Sequence, residues 1–293
     1  EFYAAAGELP AFHSGALPLA DLAQAVKKIR ALGKKLAVAV NALLATATKR
    51  QLGAIERKIR VLDGLGVDAF IFSSPYLLDL FSGPGRRLRA QLHLSSVQPV
   101  FNSLSAAFFS RFGLSRIILP NQLSPEEARG VLAFCRANAI ETEIFDYRFF
   151  GCAYVNGRCQ LHRPMHYTLK IAMPEGSLCR ISGDPGGSVT PKSLDLPERA
   201  AELPGLIKRL ESRLGCGGAP RLSDAASFFD FFSAGVQYLK YGTRQDPPEV
   251  KVRKVRAMRA MLRLARRLSS PGQKAAARRA FIREMSSWNG EDF

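Results

Sequence analysis

Ile55-Glu56-Arg57-Lys58-Ile59-Arg60-Val61-Leu62-Asp63-Gly64-Leu65-Gly66-Val67-Asp68-Ala69-Phe70-Ile71-Phe72 decides the fold. Ile55, Ile59, Leu62 and Leu65 fall on one face of a helix, with Lys and Arg on the other. Gly66 then supplies the residue that ends a helix in a left-handed conformation. Two residues later a β-rich apolar run begins at Ala69. The same joint recurs along the chain. Leu32-Gly33-Lys34-Lys35 leads into Leu36–Val40, Phe112-Gly113-Leu114-Ser115 into Arg116–Leu119, and Ala234-Gly235-Val236 into Gln237–Lys240. Asn138-Ala139-Ile140 before Glu141–Phe145 reads as the same joint with Asn in the left-handed role, Leu88–Leu94 as a further strand, and Glu1–Ala4 as a strand with no helix before it. Alternating strands and amphipathic helices with short connections predict an α/β fold with a parallel sheet. The number of units favours a TIM-like (β/α) barrel over an open sheet, incomplete at its N-terminus.

This barrel is expected to occupy residues 1–268 as one domain, with a C-terminal helical tail at 269–293. The rhythm fails from Met165 to Arg221, which reads as an irregular insertion containing a short helix near Ala201–Leu214. Phe228, Phe229, Phe231 and Phe232 read as core. The helix at Glu249–Leu268 is expected to bury Val252, Val255, Met258, Leu262, Ala265 and Leu268, and Ser270-Pro271 to start a last helix as N-cap and first residue.

An apolar content of 47% and a charged content of 23% are those of a globular protein, and no run is long enough to span a bilayer. The net charge of +17 suits a polyanion, an acidic membrane surface or an acidic partner. Eight of the basic residues, Lys251, Arg253, Lys254, Arg256, Arg259, Arg263, Arg266 and Arg267, crowd one late helix, whose exposed face is a candidate contact for RNA, acidic lipid or an acidic partner subunit, the alternative being a solvated surface. Nothing resembles a secretory signal, so a reducing cytoplasm is the expected location.

Five cysteines fall into two classes. Cys135 shares an apolar helical stripe with Ala128, Val131 and Leu132 on Pro125–Ala137 and is expected in the core. Cys152, Cys159, Cys179 and Cys216 lie beside Gly or in polar, irregular stretches. Such a soft ligand set selects zinc or an iron–sulfur cluster, and the spacing alone leaves both open. Disulfides are the rival to a shared metal site, disfavoured by the reducing cytoplasm expected above. His162, three residues after Cys159, is the candidate ligand that is not a cysteine. The expected strand ends carry polar, mostly uncharged side chains: Asn41, Ser73-Ser74, His93 to Ser96 with Asn102, Asn121-Gln122, and Asp146. Lys240 and Arg244 flank a Gly turn suited to a carboxylate or phosphate, the alternative being a salt bridge inside the barrel mouth. No nucleotide-binding Gly-rich loop, HExxH or Gly-x-Ser-x-Gly motif is present.

His93-Leu94-Ser95-Ser96 with Asn102, Gly151-Cys152-x6-Cys159 and Lys240-x-Gly-x-Arg244, in this order, resemble the peptidase U-32 (collagenase-like protease) family. Val38-Ala39-Val40-Asn41 and Leu119-Pro120-Asn121-Gln122-Leu123-Ser124 fit the same frame. In length the chain is similar to the family's short iron–sulfur branch of ubiquinone-biosynthesis hydroxylation subunits. The resemblance implies a 4Fe-4S cluster on Cys152, Cys159, Cys179 and Cys216, with zinc as the alternative. It implies a protein partner subunit and oxygen-independent hydroxylation of a ubiquinone precursor or similar aromatic. His93, Ser95, Asn102, Lys240 and Arg244 would orient the substrate or an anionic oxygen donor. The alternatives are a U-32-type peptidase, an RNA-hydroxylating (tRNA or rRNA) protein and a non-catalytic partner subunit.

Overall fold

A computed structural model describes residues 1–11, 16–42, 44, 47–120, 123–146, 181–183, 189–191, 225–241, 247–269 and 272–288. Strands and helices alternate through the first half: β1 (Phe2–Ala5), α1 (Leu19–Ala31), β2 (Leu36–Val40), α2 (Lys49–Leu65), β3 (Ala69–Phe72), α3 (Pro75–Ser82), β4 (Gln91–Leu94), α4 (Ser103–Ser110), β5 (Arg116–Ile118), α5 (Arg129–Ala137) and β6 (Glu141–Phe145). An antiparallel pair follows, β7 (Ile181–Gly183) and β8 (Val189–Pro191), then α6 (Ala225–Ser233), β9 (Tyr238–Lys240), α7 (Pro248–Leu268) and α8 (Lys274–Ser286).

The main sheet runs β1-β2-β3-β4-β5-β6-β9, every neighbouring pair parallel. Each new strand joins the same edge, so the strand order never reverses. In a flat sheet the outer strands would lie six steps apart, ~29 Å at ~4.8 Å per step. Here the Tyr3 hydroxyl on β1 donates to the Tyr241 carbonyl just past β9 at 2.5 Å, and Lys240 Nζ lies 4.1 Å from the centre of the Tyr3 ring. The sheet therefore curls until its two edges meet through side chains, as in an incomplete barrel.

Strand alternation splits the core in two. Val38, Val40, Phe70, Phe72, Leu92, Leu94 and Ile117 face the helices, where they pack with Leu22, Val26, Ile59, Leu62, Phe81 and Phe109 in the large core cluster. Phe72 stacks on both Phe70 and Phe81, at 5.8 Å in each case. The opposite face, toward the barrel axis, carries a small apolar layer of Ala37, Ala69, Ile71 and Ile118 with Tyr3 and Phe145. The rest of that inner face is polar.

The glycine joints are as expected: Gly33, Gly66, Gly113 and Gly235 all have positive φ. At the Asn138 joint the roles are exchanged. Asn138 keeps φ −109 while its Nδ2 donates to the Phe134 carbonyl at 2.8 Å, and Ala139 takes the left-handed turn at φ 54. β4 starts at Gln91 rather than Leu88, because the Asp63 carboxylate accepts from the Arg89 and Ala90 backbone N–H groups and holds them out of the sheet.

Cys135 is buried with Ala128, Val131 and Leu132, and burial pushes its thiol up to about 11, so it is a core residue. Phe228, Phe229 and Phe231 of α6 are buried as well. Two expectations for the C-terminal helices are corrected. On α7 the buried residues are Met258, Met261, Leu264 and Ala265, while Val252 and Val255 are 50% and 41% exposed, so only the second half of the apolar face reaches the core. The last helix starts at Lys274 rather than after Ser270, because Gly272 at φ 79 interrupts any helix begun before it. Among the described residues no helix is long and apolar enough to cross a membrane.

Gly64 and Gly66 make the helix-ending argument testable. A Cβ on Gly64, inside α2, meets nothing within 4 Å, whereas Gly66 has φ 91 and a Cβ there would lie 2.5 Å from the Arg30 guanidinium. Gly64→Ala is expected to raise unfolding stability by about 0.5–1 kcal/mol and Gly66→Ala to lower it by about 1 kcal/mol or more. Urea unfolding of the two variants checks the opposite signs.

Candidate functional site: a charged barrel interior beneath a polar mouth

Register places Arg116, Glu141, Glu143, Tyr238, Lys240 and His93 in one phase with Ile71 and Ile118, and therefore on the inner face. They form one connected network. Arg116 Nη1 pairs with Glu143 Oε2 and with Glu1 Oε1, each at 2.9 Å, and Nη2 pairs with Glu141 Oε2 at 2.9 Å. The Arg116 guanidinium also sits 3.4 Å above the Tyr238 ring, whose hydroxyl donates to Glu141 Oε1 at 2.9 Å. The second oxygen of Glu143, Oε1, accepts from Lys240 Nζ at 2.9 Å.

Arg116, Glu143 and Lys240 are all buried. Burial alone would raise the Glu143 carboxyl, but Lys240 and Arg116 outweigh it and hold it below the ordinary carboxylate value. Burial likewise opposes the charge on Arg116, and the hydrogen bond to Glu1 with the charge of Glu143 more than restores it.

His93 lies on β4 among these charges. It is 1% exposed, and neither ring nitrogen has a hydrogen-bond partner among the described residues. Burial first, and then the charges of Arg116 and Lys240 against the opposing charge of Glu143, lower its pKa from 6.5 to about 3. At neutral pH it is an uncharged imidazole with one N–H donor and one lone pair unspent. Buried polar groups nearly always have partners, so such an orphan marks a place where water or a ligand is recognised.

Above this layer, the C-terminal strand ends carry a buried polar rim. Asn41, after β2, donates through Nδ2 to Ser95 Oγ at 3.2 Å, and that oxygen also accepts from the Val97 N–H at 3.3 Å. Ser73 Oγ, after β3, donates to the Ala42 carbonyl at 3.2 Å. Ser74, Ser96 and Asp146 are buried beside them, and the Asp146 N–H donates to the Lys240 carbonyl at 2.9 Å. Barrel enzymes place their chemistry at this end. A cleft of about 310 Å³ lies at the opposite end, lined by Arg30, Lys35, Asp63, Asp68 and Arg89. Its carboxylates are engaged in capping backbone N–H groups of Leu36, Arg89 and Ala90, so it serves the fold.

The sequence-predicted residues divide accordingly. His93, Ser95 and Lys240 converge on the interior and mouth. Lys240 is held by Glu143, the salt-bridge alternative to an anion site. Asn102 caps α4, accepting from the Ser105 N–H at 2.9 Å in an exposed capping box. Arg244, Cys152, Cys159, Cys179, Cys216 and His162 lie outside the described residues. Among the described residues no group of three or more His, Cys, Asp or Glu could hold a metal ion. Sequence reasoning missed Arg116, Glu141 and Glu143. Their signal was charge at alternate positions inside predicted strands, in phase with His93 and Lys240.

The sequence pattern of peptidase family U32 matches residues 11–169, more than half of the 293-residue chain. This chain belongs to peptidase family U32. The family resemblance read from the sequence is thus borne out, and the matched stretch contains His93, Ser95, Asn102, Cys152 and Cys159. The U32 chain is similar to tRNA hydroxylation protein P of Escherichia coli (strain K12), 31% identical over 141 residues. That match covers 48% of this chain and 29% of the relative, so the chain spans well under half of the relative's length. Among solved structures it is similar to the U32 peptidase Mk0906, with a TM-score of 0.41 and 14% identity over 49% of this chain and 59% of the other.

The orphaned imidazole predicts a pH dependence. His93 has a lower pKa folded than unfolded, so between about 6.5 and 3 the unfolded chain binds more protons. Stability is therefore full above pH 6.5 and falls as pH drops below it, with a slope approaching about 1.4 kcal/mol per pH unit. His93→Leu is expected to flatten the slope between pH 6.5 and about 5, above the range where carboxylates titrate. Denaturant unfolding across that range checks this, and an unchanged slope in the variant would refute it.

Proposed function

We propose that this U32 protein is the iron–sulfur component of an oxygen-independent hydroxylation system that acts on an RNA base. The observation carrying this reading is the 31% identity over 141 residues to a protein named for tRNA hydroxylation. Of the substrates expected from the sequence, an RNA base is preferred to a ubiquinone precursor because that relative's name and the +17 charge both favour it. Cys152, Cys159, Cys179 and Cys216 are the residues proposed to hold a 4Fe-4S cluster, which when bound would supply electron transfer.

The polar mouth supports the reading on the substrate side. Asn41, Ser73 and Ser95 present fixed hydroxyl and amide groups, and neutral His93 beneath them offers a donor and an acceptor. Such groups can orient a planar heterocycle by its edge without placing a free charge against it. Lys240 is paired with Glu143 below the rim, and Arg244 is the residue proposed to meet an anionic oxygen donor. Peptide hydrolysis finds less support. Ser95 Oγ is held by Asn41 and Val97, and neither His93 nitrogen reaches a hydroxyl among the described residues, so no nucleophile–base pair is formed there.

Protein purified without oxygen is expected to be brown, with about four iron atoms per chain, and Cys152→Ala should lose the charge-transfer absorption. A strain lacking the gene, grown without oxygen, should lose a hydroxylated nucleoside from its RNA, read by mass spectrometry. The unmodified gene should restore it and the Cys152→Ala copy should not. Colourless protein holding zinc would overturn the cluster assignment, and rescue by the Cys152→Ala copy would indicate a scaffold role instead.

A further inference from the structure

α7 carries six exposed arginines, Arg253, Arg256, Arg259, Arg263, Arg266 and Arg267, and none of them forms an ion pair among the described residues. At about 100° per residue they fall within an arc of roughly 140°. At 1.5 Å per residue they span ~21 Å of helix. The helix has one acidic residue in its first turn, Glu249, and none beside the stripe. Met258, Met261, Leu264 and Ala265 are buried on the other side, so the helix that carries the stripe is anchored on the protein core.

The position of the stripe matters as much as its charge. Lys254, in the second turn of α7, lies 6.0 Å from the centre of the Tyr241 ring. Tyr241 immediately follows Lys240 at the C-terminal end of β9, and its carbonyl accepts from Tyr3. The first turns of α7 therefore stand beside the C-terminal end of β9, at the rim of the polar mouth, and the stripe continues from them along the helix.

We infer that the arginine face of α7 is an RNA-backbone track that delivers a nucleotide to the barrel mouth. The inference rests on the RNA-base reading proposed above. Guanidinium groups match phosphate geometry and stay charged. A cationic row that no carboxylate among the described residues neutralises gains affinity by releasing counterions from the polyanion. A membrane surface fits less well, because a helix seated in lipid inserts its apolar face, and here the second half of that face, from Met258 to Ala265, is occupied by the protein core.

The test uses the full chain and a fluorescent single-stranded RNA, with binding read by anisotropy over a range of salt concentrations. Arg256→Gln/Arg259→Gln/Arg263→Gln removes three charges from the stripe. Lys27→Gln/Lys28→Gln/Arg50→Gln removes three exposed charges from α1 and α2 as a control. The stripe variant is expected to weaken binding by tenfold or more at about 0.1 M salt and to make the log–log salt slope shallower by about 2. The control is expected to change little. Equal losses in the two variants, no RNA binding by the unmodified chain, or retention on phosphatidylserine-containing vesicles in place of RNA would each overturn the inference. Binding is read without turnover, so its failure is separable from failure of the hydroxylation reading, which is judged by the nucleoside product.

Discussion

Glu143, gripped between Arg116 and Lys240, is the contact on which the interior of this barrel depends. One carboxylate joins β5, β6 and β9, and Arg116 extends the chain to Glu1 and Glu141. A strand interior filled only with apolar side chains would have left no reason for a polar residue at position 93. Buried, and with two cations held nearby, the imidazole stays neutral and keeps its hydrogen-bonding capacity. The same pairing ties up Lys240, and the mouth above it is lined by amide and hydroxyl groups together with Asp146. Buried ion pairs are costly to desolvate and rarely add net stability over an apolar core. A network of this size therefore has more to do with shaping a polar interior than with strengthening the fold.

Much of the fold was legible because its signals are local. A helix with an apolar stripe, a left-handed glycine and an apolar run can be read within about fifteen residues, and β2, β3 and β6 have the bounds that pattern predicts. What escaped were effects carried by residues distant in sequence. Asp63 trims β4 from 26 residues away, and the exposure of Val252 and Val255 depends on where α7 meets the core. Gly272 was locally readable as a helix breaker, and Ser270-Pro271 outweighed it.

The site was legible in part for the same reason. His93, Ser95 and Lys240 stood out at strand ends. Arg116 and Glu143 did not, because recognising them requires the register of neighbouring strands, and register is a property of pairs. Asn102 was noticed for its polarity, and the structure employs that polarity in a helix cap. Asp146, buried at the end of β6, has its backbone tied to Lys240 and so links the rim to the charged layer below.

A double-mutant cycle on Arg116 and Glu143 tests this account most directly. Arg116→Met and Glu143→Leu should each destabilise the protein by about 3–5 kcal/mol, because each leaves buried partners with uncompensated charge. The double variant should cost well under the sum, giving a coupling energy beyond the ~0.5 kcal/mol within which independent sites add. Additive losses would mean that the two side chains do not meet in a closed interior, and would contradict the account.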